Sequence, residues 1–292
     1  ARRDPAALAA RDGETRLDRG TLARASEAIA RTIAATGAPD PVAASPSGVR
    51  TSGRVGLLAG HRAVALVGVL GVLESGHCLV PLSGHESDDL LAALARDAGI
   101  GLLLVDRAHA PRARAIVGET VSILVLEDVL EDVLEDVLAN AGALAVDEPA
   151  FAVDDAASAP FGVGKADGGS DVARAAEDLV AILYTSGTTA APKGVMTTAA
   201  SVFARTREYL DASALAAGER QAAITAWHFA ASIPEIYGAL VAGAELCLYD
   251  AHAEGVEGLP AWLRSERIDC LQLPVAIARR LQSVPAYLLI PS

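Results

Sequence analysis

A chain of 292 residues with 52% hydrophobic and 21% charged residues has enough apolar side chains to close a sizeable core, which excludes disorder as its resting state. Its formal net charge of -13 excludes an extended basic face for nucleic acid, because phosphate backbones are held by clustered Lys and Arg. The three cysteines, Cys78, Cys247 and Cys270, stand far apart with no CxxC pairing, which excludes a disulfide framework or a zinc pattern and fits a reducing cytoplasm.

The chain opens Ala-Arg-Arg-Asp-Pro, without the apolar core of a signal peptide, and its first clear element is a helix over Thr21–Thr36. Leu22, Ala25, Ile29 and Ile33 recur there at helical spacing, and Gly37 and Pro39 supply the stop. Pro41 to Gly53 reads as loop. Strands at Arg54–Leu58, Cys78–Leu82 and Gly101–Val105 then alternate with helices at His61–Ser75 and Ser87–Ala98, the signature of parallel β-α-β units. The longest apolar run, Ala63 to Leu73, is too short to cross a bilayer, so a cytoplasmic protein with no membrane partner is expected. Around Leu126 the tetrapeptide Leu-Glu-Asp-Val occurs three times, which places Leu126, Leu130, Leu134 and Leu138 on one stripe of a solvated amphipathic helix. Val153 to Ala176 reads as surface connection.

The second half repeats the alternation. Strands are expected at Leu179–Thr185, Ala222–Thr225, Glu245–Tyr249 and Cys270–Leu273. Helices are expected at Thr197–Leu210, Ser232–Val241, Leu259–Arg267 and after Pro274. The fold class is therefore α/β, in layered subdomains with mostly parallel sheets, divided as 1–165 and 166–292. The chain has no initiator Met, and its closing Tyr287-Leu-Leu-Ile-Pro-Ser292 reads as the start of an element, so a C-terminally incomplete second subdomain is expected.

The segment that carries chemistry is Tyr184-Thr-Ser-Gly-Thr-Thr-Ala-Ala-Pro-Lys-Gly-Val195, a hydroxyl-rich loop directly after an apolar strand. Hydroxyls and free N–H groups donate to phosphate oxygens, and Gly187 lets the backbone come close. A Lys adds a point charge worth about 4 kcal/mol at ~4 Å with an effective dielectric of 20. Lys193 sits between Pro192 and Gly194, so the loop is not a Walker A motif. No GxSxG elbow, HExxH pair or partnered Cys occurs, and Glu235 and Asp250 are expected at the surface.

The loop resembles the signature phosphate loop of the adenylate-forming superfamily, which contains acyl-CoA synthetases, luciferases and nonribosomal peptide synthetase adenylation domains. It matches every fixed position of Tyr-Thr-Ser-Gly-Ser/Thr-Thr-Gly-x-Pro-Lys-Gly except Ala190, which stands in place of a Gly. Gly71-Val-Leu-Glu-Ser-Gly-His-Cys-Leu-Val-Pro-Leu82 is similar to the family's Leu-Lys-Ala-Gly-x-x-Tyr-Val-Pro connection from helix to strand. Trp227-His-Phe-Ala-Ala-Ser-Ile-Pro-Glu-Ile-Tyr-Gly-Ala-Leu240 is similar to its Phe-Asp-x-Ser-x-x-Glu-Ile segment. General likeness in Leu248 to Arg280 is closest to the synthetase type.

The resemblance implies the large N-terminal domain of an AMP-binding enzyme that activates a carboxylic or amino acid with ATP and Mg²⁺ for transfer to a phosphopantetheine or coenzyme A thiol. It implies that Thr185, Ser186, Gly187, Thr188, Thr189 and Lys193 hold the phosphates, with Lys193 the catalytic cation. His228, Phe229 and Ala230 would border the acyl pocket, with Phe229 as an aromatic gate and His228 as a packing or gating residue. Ala230 replaces the Asp that pairs with a substrate ammonium, which disfavours an ordinary α-amino acid unless another acid substitutes. Partners implied are a small-molecule carboxylic acid and a carrier domain downstream in a larger polypeptide. The adenine-binding stretch, the ribose-binding Asp and the C-terminal lid of the family are not in this sequence. The alternative reading is an inactive remnant or interaction module that keeps the fold.

Overall fold

The computed structural model describes residues 4–36, 53–131, 175–185 and 192–281. In chain order they form β1 (Leu8–Arg11), β2 (Arg16–Asp18), α1 (Arg19–Ala35), β3 (Arg54–Leu58), α2 (Ala63–Glu74), β4 (Cys78–Leu82), α3 (Asp88–Ala98), β5 (Leu102–Val105), α4 (Ala110–Val117) and β6 (Ser122–Val125). Helical residues 126–131 follow as α5. After them come β7 (Leu179–Thr185), β8 (Lys193–Thr198), α6 (Ala199–Ser213), β9 (Arg220–Ala223), α7 (Ser232–Ala242), β10 (Glu245–Leu248), α8 (Leu259–Ser265), β11 (Cys270–Leu271) and α9 (Val275–Leu281).

These strands make two mostly parallel sheets, one of six strands in the order β6-β5-β3-β4-β7-β8 and one of five in the order β11-β9-β10-β1-β2. Among the described residues, only the pairs β7–β8 and β1–β2 are antiparallel. Alternate side chains along the strands enter different cores, as the two-residue period of a strand requires. In β3, Val55 and Leu57 join a central core with α1, α2, α7 and part of α6, whereas Leu58 joins an outer core with α3 and α4. In β10, Leu246 and Leu248 face the same central core, whereas Cys247 packs outward with Leu259 and Leu263 of α8. The result is five layers: α3 and α4, the larger sheet, the central helices, the smaller sheet, and α8 with α9.

Local sequence explains the helix limits. Asp18 caps α1 by accepting from the Thr21 N–H at 2.6 Å. Ser87 caps α3, which carries Asp88 and Asp89 in its first turn and Arg96 in its last, and Gly99 at φ 64° ends it. Helix α2 is apolar nearly all round because the central layer covers it on both sides. Its first turn has no side-chain cap of its own, and Asp12, from the turn between β1 and β2, accepts the Ala63 N–H at 2.8 Å.

Sheet membership crosses residue 165. Strands β1 and β2 lie in the smaller sheet beside β10, and β7 and β8 extend the larger sheet beyond β4. Of the repeat stripe, Leu126 is fully buried in the central core and Leu130 packs against it. That part of the stripe is core rather than a solvated face, because the helix starts directly under α2, where Gly68 leaves room for Leu126. Leu134 and Leu138 lie outside the described residues, as do most of the loops expected at Pro41–Gly53 and Val153–Ala176.

Candidate active site

Strands β3, β4, β5 and β7 run parallel, so their C-terminal ends open on one edge of the larger sheet. The ends of β9 and β10 open likewise on the smaller sheet. The two edges meet where the turns after β3 and β9 touch. Such a crevice outside the strand C-termini is where open α/β sheets bind ligands.

The hydroxyl-rich loop stands on the larger sheet as the connection of a hairpin. Strands β7 and β8 pair with Thr185 opposite Lys193 and Tyr184 opposite Gly194, so the two ends of the loop are closed on each other. Gly194 is sterically required here, because a Cβ would lie 2.9 Å from Ile182 Cγ2 and 3.3 Å from Tyr184 Cζ. The Tyr184 hydroxyl donates to Asp97 Oδ2 at 2.6 Å, which anchors the strand to the end of α3. Thr185 and Lys193 are both exposed, and among the described residues no carboxylate pairs with Lys193. A hydroxyl and an unpaired ammonium at a closed loop mouth suit phosphate oxygens. Ser186, Gly187, Thr188, Thr189 and Ala190 lie outside the described residues.

The second group of expected residues lies in the turn between β9 and α7. Phe229 is exposed, His228 and Ala230 are half-buried, and the rings of His228 and Phe229 are 4.1 Å apart. Burial, with His252 and His85 adding to it, pulls the His228 imidazole below its ordinary value. Neighbouring Trp227 is buried, and its Nε1–H donates to Gly60 O at 3.0 Å. Ser232 Oγ donates to Phe229 O at 2.8 Å and so closes the turn onto α7.

Glu235 was expected at the surface, and the structure corrects this: it is fully buried in α7. Its carboxylate accepts from Thr225 Oγ1 at 2.6 Å and from the Thr225 N–H at 3.2 Å, because the chain leaving β9 has no ladder partner for these donors. Burial pushes the Glu235 carboxyl up to about 7, and the Thr225 bonds only partly offset this. Asp250 is half-buried rather than exposed. Burial raises it, but the N–H groups of Ala253, His61 and His252 outweigh that and hold it below the usual carboxylate range. Both acids serve the backbone.

Sequence reasoning missed a ring of edge residues around these. Asp106, after β5, accepts the Gly60 N–H at 2.7 Å and pairs with His109 Nδ1 at 2.6 Å. His85, after β4, stacks on His252, after β10, at 4.0 Å. His61 is buried between the sheets, with Nε2 2.8 Å from Ala223 O and its ring 4.5 Å from that of Trp227. The N–H groups of the turn after β3 are thus taken by Asp106, Asp250 and Asp12, which leaves no phosphate cradle at the start of α2. No group of His, Cys, Asp and Glu among the described residues is arranged for a metal ion, and no described helix is long and apolar enough to cross a membrane.

A family model described as AMP-binding enzyme matches residues 44–288. The chain is 28% identical over 271 residues to the AMB antimetabolite synthetase AmbB of Pseudomonas aeruginosa, covering 93% of this chain and 18% of that protein. It is 32% identical over 191 residues to the L-proline--[L-prolyl-carrier protein] ligase of Pseudomonas fluorescens, covering 63% of this chain and 37% of that one. In fold it is similar to ATP-bound MatB from Rhodopseudomonas palustris, with a TM-score of 0.69 at 20% identity, over 97% of this chain and 49% of that one. The chain therefore spans well under half of the curated relatives named here.

Proposed function

Because the chain belongs to the AMP-binding enzyme family, we propose that it supplies the phosphate loop and acyl entrance of an adenylation domain that activates a carboxylic acid. In that reaction a substrate carboxylate oxygen bonds to the α-phosphorus of ATP, and the bond from that phosphorus to the leaving pyrophosphate breaks. Lys193 and Thr185 hold the phosphate oxygens together with Ser186, Gly187, Thr188 and Thr189. Lys193 is the residue that offsets the charge gathering on the leaving group, and a Mg²⁺ ion bound with the nucleotide would supply the charge that one ammonium lacks.

The observation that carries this reading is the Tyr184–Gly194 sequence match, whose flanking strands pair so that Lys193 and Thr185 stand opposite each other at the C-terminal edge of a parallel sheet. Phe229 gates the acid, with His228 packed beside it and Ala230 lining the entrance. The turn itself carries no carboxylate, so an acid without a free α-ammonium suits the entrance best. The sulfur of a carrier-bound phosphopantetheine or of coenzyme A then bonds to the acyl carbon as the thiol gives up its proton, and the acyl–oxygen bond to AMP breaks to release AMP. The reading as an inactive remnant gains nothing from the relatives, whose names are those of a synthetase and a ligase.

Calorimetry of ATP with Mg²⁺ against this chain and its Lys193→Ala variant tests the reading. Saturable binding that weakens at least about tenfold in the variant is expected. Equal binding by both would remove Lys193 from the phosphate site.

A further inference from the structure

The turn that carries Phe229 is fastened to the opposite sheet as well as to its own helix. His61, in the turn after β3, bonds through Nε2 to Ala223 O, the last carbonyl of β9. A carbonyl only accepts, so Nε2 carries the proton and Nδ1 is left with a lone pair that meets no donor in the buried pocket. The same ring packs against Trp227, whose indole N–H returns to Gly60 O. The His61 N–H meets Asp250 Oδ2 at 3.4 Å, which ties the turn after β10 to the same point. The ring of His61 thus joins its own turn to the turn after β9, and its main-chain N–H joins the turn after β10, while no reacting group lies among its contacts.

We propose that His61 is a positioning residue for acid binding: it locks the Trp227–Ala230 turn to the sheet that carries the phosphate loop, so that acyl entrance and phosphate loop keep one relative placement. The consequence for acid binding rests on the adenylation reading, whereas the lock itself rests on geometry alone. An apolar side chain of similar volume would fill the pocket but remove the bond from one sheet to the other, leaving Ala223 O with the Tyr249 N–H of its own sheet at 3.0 Å. It would hold the ring of Trp227 less firmly. Gln reaches about as far as imidazole Nε2 and can donate from its amide, whereas Asn stops short.

The sequence contains two Trp residues, so Trp262→Phe leaves Trp227 as the sole reporter of the turn. In that background, His61→Leu is expected to make Trp227 more accessible to acrylamide while far-UV circular dichroism stays the same, and His61→Gln is expected to restore protection. In acid-dependent pyrophosphate exchange, the acid KM should rise about tenfold in His61→Leu with the ATP KM within about twofold, and His61→Gln should recover most of the loss. Unchanged quenching together with unchanged acid KM overturns the proposal. Absence of exchange in the unsubstituted chain counts against the adenylation reading instead, and quenching alone then decides the lock. If His61→Leu fails to unfold cooperatively, His61→Asn replaces it, and Asn behaving like Gln overturns the proposal.

Discussion

Glu235 shows how a residue can read as a surface acid in the sequence and prove to be a buried support for the chain leaving β9. Its carboxyl is pushed from an ordinary 4.5 to about 7 by burial, so the folded state holds a proton that the unfolded state releases between these values. The folded pKa lies above the unfolded one, so the contribution is fully present below pH about 4.5 and is lost as pH rises to about 7. By linkage the loss is on the order of 3 kcal/mol. Urea titrations at several pH values should therefore show Glu235→Gln gaining on the parent across that window by up to this amount, with a constant gap above it. A gap that does not vary with pH would place the titration elsewhere. The family was legible because the residues that carry the resemblance are contiguous. Glu235, His61 and Asp106 were not legible as site supports, because what each does depends on a fold contact; His61 and Ala223 stand 162 residues apart.

At the scale of elements, most helices and buried strands follow directly from apolar period and caps, whereas β1, β2, α4, β6 and β8 escaped. The strands among them span three to six residues and α4 only eight, so a period of two or of 3.6 has too few positions to register. Strand β8 even carries Val195 and Met196 exposed at the sheet edge, and it exists because Leu179–Thr185 offers it a hydrogen-bonding partner. The crossing of α1 and α2 was similarly hidden. At Gly71 a Cβ would lie 2.5 Å and 2.6 Å from Ile29 side-chain atoms and 3.0 Å from Ser26 O, so Gly71 sets how closely the helices approach. Gly71→Ala is expected to destabilise by about 1–3 kcal/mol through overpacking, even after the better helix propensity of Ala. Its Tm should fall by about 2–6 °C, whereas Gly13→Ala, with nothing within 4 Å, should stay within about 1 °C in the same thermal melts.

At the scale of the molecule, the strand order of both sheets argues against two separate folding units divided at residue 165. The smaller sheet takes β1 and β2 from the start of the chain, and the larger takes β7 and β8 from its second half. Asp12 joins the β1–β2 hairpin to the first turn of α2, and Arg11 reaches Glu245 at 3.1 Å and Glu266 at 2.5 Å across the smaller sheet. A fragment ending at residue 165 would expose the edge of β4 that β7 covers and leave β1 without β10, so unpaired edges and open apolar faces would favour aggregation. Residues 1–165 and 166–292 produced separately should each lack a cooperative thermal transition, while the intact chain should unfold with coincident far-UV circular dichroism and Trp fluorescence midpoints. Two cooperative fragments would show that the central helical layer, although shared by both sheets, contributes little to holding them together.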